Sequence, residues 1–429
     1  MSQVAVIGAG YVGITSAACL ARFGHDVTCA DVDTAKIEML QRGEVPILEE
    51  GLPALVAEGL ASGRLQFVVG AAAAVKDAEF IFLCVPTPHG EGGAADLSVV
   101  QAVAREIAPE LRPGAIVVNK STMPVGSTRM VSRELGQHGA PNDVGVASNP
   151  EFLREGSAVR DFLEPDRLVI GCDDTSVAVR VTDLYDGVHA PVVVTDPASA
   201  EMIKYASNSF LAAKISFINA IANLCEAINA DVRDVALGMG YDHRIGSDFL
   251  QPGPGFGGSC FPKDVAALLY TATEAGYDFG LLQGVVEVNE RQHERILEKI
   301  RSAVGGDLNG VRVGLWGLTF KANTDDLRDS PAIAVAERLV AEGALVRAYD
   351  PSVDDASPVE GAELVADAYA AVEDAPLVAL LTEWDEFRWL DFRKVAGSMT
   401  SPRAVVDARN LLDPAAMRRM GFSYQGVGR

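Results

Sequence analysis

Short apolar runs alternate with amphipathic stretches over residues 1–195 of the chain. Residues 4–7 form an apolar, β-branched run, residues 14–23 have helical periodicity, and residues 25–31 form a second strand candidate. Further strands are predicted at residues 80–85, 115–119, 144–148 and 167–171. Strands that alternate with helices in this way predict a parallel sheet with helices on both faces.

A long helical stretch begins after this region. Asp196 is a favoured N-cap residue, Pro197 suits the first helical position, and residues 198–237 contain neither Gly nor Pro. A helix that ends near Ala230 would be about 50 Å long at 1.5 Å per residue. We therefore expect a helical spine that joins two domains and whose apolar face offers a subunit contact.

The alternation starts again near residue 311. Strands are predicted at residues 311–317, 345–351, 377–381 and 404–406, with a helix over residues 330–342. The fold class is therefore α/β, with two Rossmann-like doubly wound domains joined by a long central helix. The predicted domains are an α/β domain at 1–195, a spine and dimerisation region at 196–305, and a second α/β domain at 306–429. The last domain lacks G-x-G-x-x-G spacing, so no dinucleotide is assigned to it.

Composition and charge exclude several classes of protein. The 429 residues are 48% hydrophobic and 22% charged, which is typical of a folded globular chain, and the formal charge of −23 disfavours nucleic-acid and membrane partners. The six cysteines form no C-x-x-C pair and no metal-ligand spacing, so we expect no metal and a reducing cytosol. No basic segment precedes the first apolar run, so a signal peptide is not expected.

A glycine-rich turn lies between the first strand and the first helix. Gly8 permits a tight turn, Gly10 lets the backbone approach a pyrophosphate, and Gly13 permits close packing of helix on strand. Asp31 ends the next strand, where its carboxylate suits a ribose diol and would repel a 2′-phosphate. The context predicts NAD rather than NADP. FAD, or a glycine turn that binds nothing, is the alternative.

The segment 253–264 is the most informative for chemistry. Cys260 follows four glycines and a serine within this segment, and Pro262 suits a first helical turn, which places the cysteine near a helix N-terminus. Both that position and the charge of Lys263 favour a thiolate, and Asp264 lies four residues after the cysteine. The residues alone support a reactive thiol and a buried, inert cysteine about equally.

Other polar residues have both functional and ordinary interpretations. Lys204 and Asn208 are four residues apart on the spine helix, and Glu151, Arg154 and Glu155 follow a strand end. Loops at strand ends line the ligand crevice of doubly wound sheets, and the loops at 85–88 and 120–124 are further examples. Taken singly, a solvated lysine and a surface ion pair are the commoner outcomes.

The ordered motifs resemble the nucleotide-sugar dehydrogenases, and the resemblance covers nearly the whole chain. The matching segments are residues 6–13, 85–88, 120–122, 148–153, 255–260, 320–321 and 324–330. The glycine–cysteine motif and the Lys204/Asn208 pair make the match specific. Residues 249–256 are more similar to the branch of the family that oxidises UDP-glucose.

The resemblance implies a mechanism and its catalytic residues. Members of the family oxidise the C6 alcohol of the sugar to a carboxylate with two NAD⁺ and without releasing the aldehyde. Cys260 would add to the aldehyde to form a thiohemiacetal and then a thioester. Lys204 and Asn208 would stabilise the oxyanion, Asp264 would serve as or position a general base, and Glu151 and Thr122 would organise water or proton transfer. Which carboxylate takes which proton stays open.

The resemblance also implies two sets of binding residues. The set for NAD is Gly8, Gly10, Tyr11, Val12, Gly13, Asp31, Lys36, Pro86, Thr87, Thr122, Glu155, Lys263 and Arg328. The set for the nucleotide sugar is Glu151, Phe152, Leu153, Arg154, Glu155, Lys204, Asn208, Arg244, Phe249, Leu250, Gly257, Cys260, Phe320, Lys321 and Arg409. Arg244 would reach the substrate of a neighbouring subunit, which implies a homodimer.

Three alternatives stay open. Relatives that oxidise GDP-mannose or UDP-N-acetylmannosamine use the same chemistry. A β-hydroxyacid dehydrogenase shares a Rossmann domain and a long helix with an active-site lysine, but it needs no cysteine. A non-catalytic nucleotide-sugar-binding protein would need no catalytic residues, so the presence of Cys260, Lys204, Asn208 and Asp264 together argues against it. The oligomer order, feedback regulation and the pathway that uses the product are not predicted.

Overall fold

The computed structural model describes residues 1–354 and 356–429. These residues divide into two compact units. The first comprises Met1–Ser207 and Ala266–Gly276, and the second comprises Asn208–Val265 and Tyr277–Arg429. The three-domain bounds 1–195, 196–305 and 306–429 stay a prediction.

The first unit is built from alternating strands and helices. In chain order they are β1 Gln3–Ile7, α1 Tyr11–Arg22, β2 Asp26–Asp31, α2 Thr34–Gln41, α3 Leu52–Ala61, β3 Leu65–Val69, α4 Ala71–Val75, β4 Phe80–Leu83, α5 Ser98–Ile107, β5 Ile116–Asn119, α6 Ser127–Gln137, β6 Gly145–Ser148, α7 Ala158–Leu163, β7 Leu168–Gly171, α8 Thr175–Asp183 and β8 Val192–Thr195.

The strands of this unit form one sheet. Within the described residues it has eight strands in the order β3-β2-β1-β4-β5-β6-β7-β8. Strands β1 to β6 are parallel, and the order of the first six is that of a dinucleotide-binding Rossmann sheet. Strand β7 pairs antiparallel with β6 and parallel with β8, so the last two strands run opposite to the others.

Both faces of this sheet are buried. Val4 and Val6 of β1 belong to one apolar cluster, and the intervening Ala5 and Ile7 belong to another. Successive side chains of a strand point to opposite faces, so a strand without polar residues is what a sheet covered on both sides requires. The chain proceeds from β1 outward to β3 and then returns to β4 on the other side of β1. This reversal places a ligand crevice at the carboxyl end of β1.

Helices dominate the middle of the chain: α9 Pro197–Ile228, α10 Val232–Gly240, α11 Phe261–Glu274 and α12 Gly280–Ala303. The long helix begins as predicted, because the Asp196 carboxylate accepts the Ser199 N–H at 3.0 Å. In the part of the chain that the structure describes, α9 is the helix long and apolar enough to cross a membrane by length and composition. The core helix of a soluble protein passes the same test.

The second unit contains another parallel sheet. Its elements are β9 Arg312–Trp316, α13 Pro331–Ala341, β10 Leu345–Tyr349, β11 Glu363–Leu364, α14 Ala368–Ala371, β12 Leu377–Leu380, α15 Phe392–Ser398, β13 Ala404–Asp407, α16 Pro414–Arg419 and β14 Ser423–Gln425. Over residues 1–354 and 356–429 its strand order is β11-β10-β9-β12-β13-β14, which repeats the first six strands of the other sheet. The predicted pair of Rossmann-like sheets joined by a long helix is confirmed.

Candidate active site

The turn after β1 has the three glycine environments that a dinucleotide site requires. Gly8 has φ +102°, and a Cβ there would lie 2.4 Å from the Cys84 carbonyl oxygen. A Cβ on Gly13 would lie 1.8 Å from the Gly8 carbonyl oxygen. At Gly10 no described atom lies within 4 Å of an added Cβ. The outer glycines are therefore fixed by packing, whereas the middle one faces space that a pyrophosphate can approach.

The start of α1 is suited to bind phosphate. Gly10 is the N-cap and supplies no side-chain hydrogen bond, and the first turn carries no acidic residue. The N–H groups of Tyr11, Val12 and Gly13 have no acceptor within the helix, because a helix leaves its first N–H groups unpaired. Such a terminus binds anions through those groups and the helix dipole.

Asp31 lies beside this turn with its carboxylate held in place. Its oxygens accept the N–H groups of Ala9 at 2.8 Å and Asp33 at 3.0 Å, and Lys36 Nζ lies 3.4 Å away. Partial burial alone would raise the pKa of Asp31, but these donors outweigh burial and lower it. An ionised, oriented carboxylate at the end of β2 fits a ribose diol, and the turn as a whole fits NAD.

The loops after β4 and β5 are tied to each other. The buried Thr87 hydroxyl donates to the Thr122 carbonyl at 2.9 Å, and the Ser121 hydroxyl donates to the Val85 carbonyl at 2.6 Å. A small cavity lies at this edge of the sheet, lined by Asn119, Ser121, Thr122, Met123, Ser148, Pro150, Glu201 and Lys204. Pro86 is exposed in the same loop.

Glu151 and Lys204 form a buried ion pair in the first unit. Lys204 Nζ lies 2.8 Å from Glu151 Oε1, and their side chains are 4% and 5% exposed. Glu151 Oε2 accepts the Leu153 N–H at 2.6 Å, and the Phe152 ring lies 5.4 Å from Lys204 Nζ. Burial alone would raise the pKa of Glu151, but the charge and hydrogen bond of Lys204 outweigh it and lower the pKa. The solvated lysine considered from sequence is therefore wrong.

Arg154 and Glu155 lie in the loop that follows this pair. The Arg154 guanidinium is exposed and pairs with Asp161 at 2.6 Å, which is the surface ion pair that the sequence left open. The Arg154 backbone N–H also donates to Asp161, at 2.9 Å, so this carboxylate ties the loop to α7. Glu155 is half-buried in the same loop.

Lys120 belongs to a buried network that sequence reasoning missed. Its ammonium donates to Asn149 Oδ1 at 3.0 Å and to the Tyr185 hydroxyl at 3.3 Å, and Tyr185 also donates to Asn149 at 2.5 Å. Burial lowers the pKa of Lys120 to about 8. The network holds the residue two positions before Glu151. The sequence signal that could have indicated this network is a polar residue directly after each of two neighbouring strands, Lys120 after β5 and Asn149 after β6.

Two buried carboxylates were also missed. Glu201 accepts the Gly126 and Thr128 N–H groups, each at 2.7 Å, so it caps α6 from α9. Glu49 contacts the Tyr11 hydroxyl and accepts the Val159 N–H at 3.1 Å, while the Gly156 N–H donates to Tyr11 at 2.6 Å. Tyr11 therefore connects the glycine turn after β1 to the loop that follows Glu151. Neither glutamate lies in a recognisable motif.

In the second unit, Cys260 directly precedes α11. Asp264 donates its N–H to the Cys260 carbonyl at 2.9 Å, as an N-cap residue accepts the first helical bond, and the Ser259 hydroxyl lies 3.5 Å from the sulfur. Cys260 is partly exposed, whereas the other five cysteines are buried. The predicted place of the thiol at a helix N-terminus agrees with the structure.

Asp264 is fully buried and bound on both oxygens. Asn208 Nδ2 donates to one oxygen at 2.6 Å and Lys263 Nζ donates to the other at 2.6 Å. A buried carboxylate requires such partners. The amide of Asn208 and the first turn of α11 are thereby joined, and Lys204 lies four residues before Asn208 on the same helix.

The remaining residues of the second unit that were predicted to bind a ligand lie in several loops. Arg409 donates to the Leu381 and Phe320 carbonyls and pairs with Glu383 at 2.9 Å. Lys321 lies over the Phe320 ring at 5.5 Å, and a Cβ on Gly258 would meet that ring. Gly257 lies against the Asp329 carbonyl, Phe249 has φ +63°, and Leu250 is buried. Arg328 pairs with Asp326, and the exposed Arg244 pairs with Asp242.

Asp350 occupies the position in the second sheet that Asp31 occupies in the first, but its surroundings differ. One of its oxygens accepts the N–H groups of Leu318 at 2.7 Å and Thr319 at 3.0 Å, and also the Trp384 indole N–H at 3.1 Å. The residue is fully buried. Its carboxylate therefore binds groups of the fold itself.

Comparisons with known proteins cover the whole chain. Sequence models of the UDP-glucose/GDP-mannose dehydrogenase family match residues 2–189 (NAD binding domain), 198–291 (central domain) and 314–414 (UDP binding domain). The UDP-glucose 6-dehydrogenase of Rhizobium meliloti is 47% identical over 435 residues, covering 100% of this chain and 99% of that protein.

Two solved structures are similar throughout. A UDP-glucose dehydrogenase from Pyrobaculum islandicum is 37% identical, with a TM-score of 0.93 and coverage of 100% of this chain and 98% of that one. A UDP-D-ManNAc dehydrogenase from Pyrococcus horikoshii is 28% identical, with a TM-score of 0.88 and coverage of 99% of each chain.

Proposed function

The chain belongs to the UDP-glucose/GDP-mannose dehydrogenase family, and on that basis we propose that it catalyses the NAD-dependent, four-electron oxidation of UDP-glucose to UDP-glucuronate. The observation that supports UDP-glucose as the substrate is the 47% identity, over the full length, to a protein named UDP-glucose 6-dehydrogenase. The partly exposed cysteine at the start of α11 supports the second oxidation step, because an aldehyde needs a nucleophile before it can lose another hydride.

The residues of the second unit supply the covalent chemistry in this proposal. NAD⁺, held by the turn after β1 and by Asp31, would supply the hydride acceptor for each oxidation. Cys260 Sγ adds to the aldehyde carbon, and the resulting thiohemiacetal is oxidised to a thioester. Water then cleaves the thioester, which releases the carboxylate and returns the thiol. Asp264 accepts a proton directly or through a water, and Asn208 both orients Asp264 and donates to the C6 oxygen.

The first unit supplies charge and orientation. Lys204 stabilises negative charge on the C6 oxygen, and its partner Glu151 keeps it oriented. Thr122 and Glu151 organise water or proton transfer. Gly8, Gly10, Gly13 and the start of α1 hold the NAD pyrophosphate, while Asp31 holds the ribose.

The sugar nucleotide is anionic, so we propose that local cations hold it despite the net charge of −23. The substrate binds to Arg409, Lys321 and the backbone around Gly257. Arg328 binds NAD, and Arg244 binds the substrate of a second subunit. Long-range repulsion is screened beyond roughly 8 Å at physiological salt, so contact cations decide binding.

We propose a cytosolic homodimer whose contact includes α9. Of its five exposed large apolar side chains, four follow one another at spacings of seven, seven and four residues: Phe210, Phe217, Leu224 and Ile228. This spacing places them on one stripe of the helix, and a second copy of the same stripe would bury it. A contact of this kind accounts for the apolar stripe without a membrane.

A panel of nucleotide sugars tests the substrate. Initial rates of NADH formation are measured with UDP-glucose, GDP-mannose and UDP-N-acetylmannosamine. The expected result is a kcat/KM for UDP-glucose at least about 10-fold above the others, since hydrogen bonds to the correct sugar hydroxyls are lost with the wrong one. A preference for UDP-N-acetylmannosamine would assign the chain to the activity of the Pyrococcus horikoshii relative, and no NADH from any sugar would refute oxidation.

A further inference from the structure

Buried side-chain amides hold the backbone of the loop that leads to Cys260. The Gly253 N–H donates to Asn219 Oδ1 at 2.8 Å, and Gln292 Nε2 donates to the Gly253 carbonyl at 2.8 Å. Asn223 Nδ2 donates to Gln292 Oε1 at 3.0 Å, which fixes the orientation of that amide. Both polar groups of the Gly253 residue are thus bound by side chains from α9 and α12.

A second residue of the loop is bound in the same way by one side chain. The Phe256 N–H donates to Asn289 Oδ1 at 2.7 Å, and Asn289 Nδ2 donates back to the Phe256 carbonyl at 3.1 Å. Asn289 is 8% exposed and Gln292 is 1% exposed. We call Asn219, Asn223, Asn289 and Gln292 the amide cradle.

Burying the side chains of the amide cradle costs more free energy than burying apolar side chains in the same places would. Its members lie on helices whose neighbouring buried residues are apolar, such as Ile218 and Ile296. A buried amide costs free energy unless its hydrogen bonds are made, and an apolar residue of the same size has no such requirement. The amides therefore supply what an apolar residue cannot, because they satisfy the buried peptide groups that they bind and also orient them.

The loop needs that orientation because it is rich in glycine. Gly253, Gly255, Gly257 and Gly258 lose more conformational freedom on ordering than other residues. The far side of the loop lies against other backbone: the Gly258 N–H donates to the Arg328 carbonyl at 3.1 Å, and a Cβ on Gly257 would lie 2.1 Å from the Asp329 carbonyl oxygen. The cradle supplies the side-chain contacts on the residues before these.

We propose that Asn289 and Gln292 are positioning residues that hold the Gly253–Phe256 backbone so that the Cys260 thiol is fixed at the N-terminus of α11. This inference rests on the proposed role of Cys260 as the nucleophile. Misplacement of a reacting group by about 1 Å can cost roughly 100-fold in rate. The contribution of the cradle is therefore expected in the reactivity of the thiol and in kcat, rather than in KM for NAD⁺.

Isosteric variants test the proposal. Asn289→Asp keeps an acceptor for the Phe256 N–H but places a carboxylate oxygen against the Phe256 carbonyl. Gln292→Met keeps the shape and removes both hydrogen bonds without adding charge. The rate of Cys260 alkylation by iodoacetamide is measured from pH 6 to 9 on the folded protein, with the modified residue identified by mass spectrometry. The other cysteines are buried, which favours selective reaction.

The expected result is a fall of at least about threefold in the alkylation rate at pH 7 and of about 10-fold to 100-fold in kcat, with KM for NAD⁺ unchanged within twofold. A control is Asn410→Asp, since Asn410 binds both polar groups of Val427 in the same two-bond arrangement. The control should keep the wild-type alkylation curve.

Wild-type alkylation curves and kcat in the folded variants would overturn the proposal, even if their melting temperatures fall. An equal shift in Asn410→Asp would overturn it as well. If Asn289→Asp does not fold, Gln292→Met alone decides. Alkylation needs neither NAD⁺ nor a sugar nucleotide, so a failure of the proposed function is seen separately, as the absence of NADH from the wild-type protein.

Discussion

At the scale of single residues, the first unit concentrates buried charge near the carboxyl ends of its strands. Lys204, Glu151 and Lys120 are each nearly inaccessible to solvent. Burying a charge is expensive unless it is paired and hydrogen-bonded, and the three side chains satisfy this in different ways. Lys204 and Glu151 pair directly, whereas Lys120 is bound by a neutral amide and a phenol. Such an arrangement is typical of a site that handles charge.

Lys120 makes the stability of the protein depend on pH in the alkaline range. Burial lowers its pKa to about 8, whereas an unfolded lysine has a pKa of about 10.4. Between these two pH values the unfolded chain binds more protons than the folded protein does. The contribution of Lys120 to the free energy of unfolding therefore increases as pH rises, by at most about 1.4 kcal/mol per pH unit. That gain is complete above a pH of about 10.4 and is lost as pH falls to about 8.

Denaturant unfolding of wild type and Lys120→Met from a pH of about 7.5 to about 10 checks this. The difference in unfolding free energy, wild type minus variant, should rise across the range. The exposed Lys76→Met is the control and should show a flat difference. A flat difference for Lys120→Met as well would mean that its ammonium is not buried.

We propose that the choice of cofactor depends on Asp31. Asp31→Asn keeps an acceptor for the Ala9 N–H but removes the charge that favours hydrogen bonds from a ribose diol. The KM for NAD⁺ should rise about 10-fold, while the KM for the nucleotide sugar stays unchanged. Steady-state kinetics with each substrate varied in turn measure both values. Asp33→Asn, which alters the N-cap of α2, is the control, and an equal rise there would contradict the ribose role.

At the scale of elements, the pattern of apolar runs predicted the strands that are buried on both faces. It missed β3 and β8, which are partly exposed, and the two-residue β11 and the short β14. Strand β8 has the residues of a strand, but Val192, Val193 and Val194 are all exposed. The helix α1 begins at Tyr11 rather than near residue 14, because glycine can serve as its N-cap.

The residues of the candidate site likewise divide into those that the sequence identified and those that it missed. Residues within motifs, such as Gly8, Asp31 and Cys260, could be identified because their spacing is tied to a local backbone geometry. Glu201 and Asn289 could not be, because each binds a segment at least 33 residues away in sequence. Contacts of that kind depend on how helices pack, and neither residue differs in sequence from an ordinary polar residue on a helix.

The exposed stripe on α9 gives a prediction at this scale. Phe217→Asp and Leu224→Asp place a carboxylate in the centre of the proposed subunit contact, where burying an unpaired charge is unfavourable. Sedimentation velocity at micromolar concentration should show a dimer for wild type and a monomer for the double variant. Leu281→Asp changes an exposed leucine on α12 and should leave the dimer intact. A monomeric wild type, or a dimeric double variant, would contradict the contact.

At the scale of the whole molecule, the second sheet repeats the order of the first six strands of the first sheet, but the two differ around the corresponding aspartates. The first carries a glycine turn with open space at Gly10 and a carboxylate at Asp31 that is held at the sheet edge. In the second, the corresponding Asp350 is occupied by hydrogen bonds inside the fold. The first sheet therefore suits a dinucleotide, and the second lies in the part of the chain that matches the family's UDP binding domain.

The most direct test of the proposed oxidation is the amount of NADH formed per UDP-glucose consumed when the sugar is limiting and NAD⁺ is in excess. Two NADH per sugar are expected from the wild-type protein, because Cys260 retains the aldehyde for a second oxidation. Cys260→Ser should form fewer than two, since serine is a poorer nucleophile than a thiolate. One NADH per sugar from the wild type, with free aldehyde as the product, would contradict the thioester route.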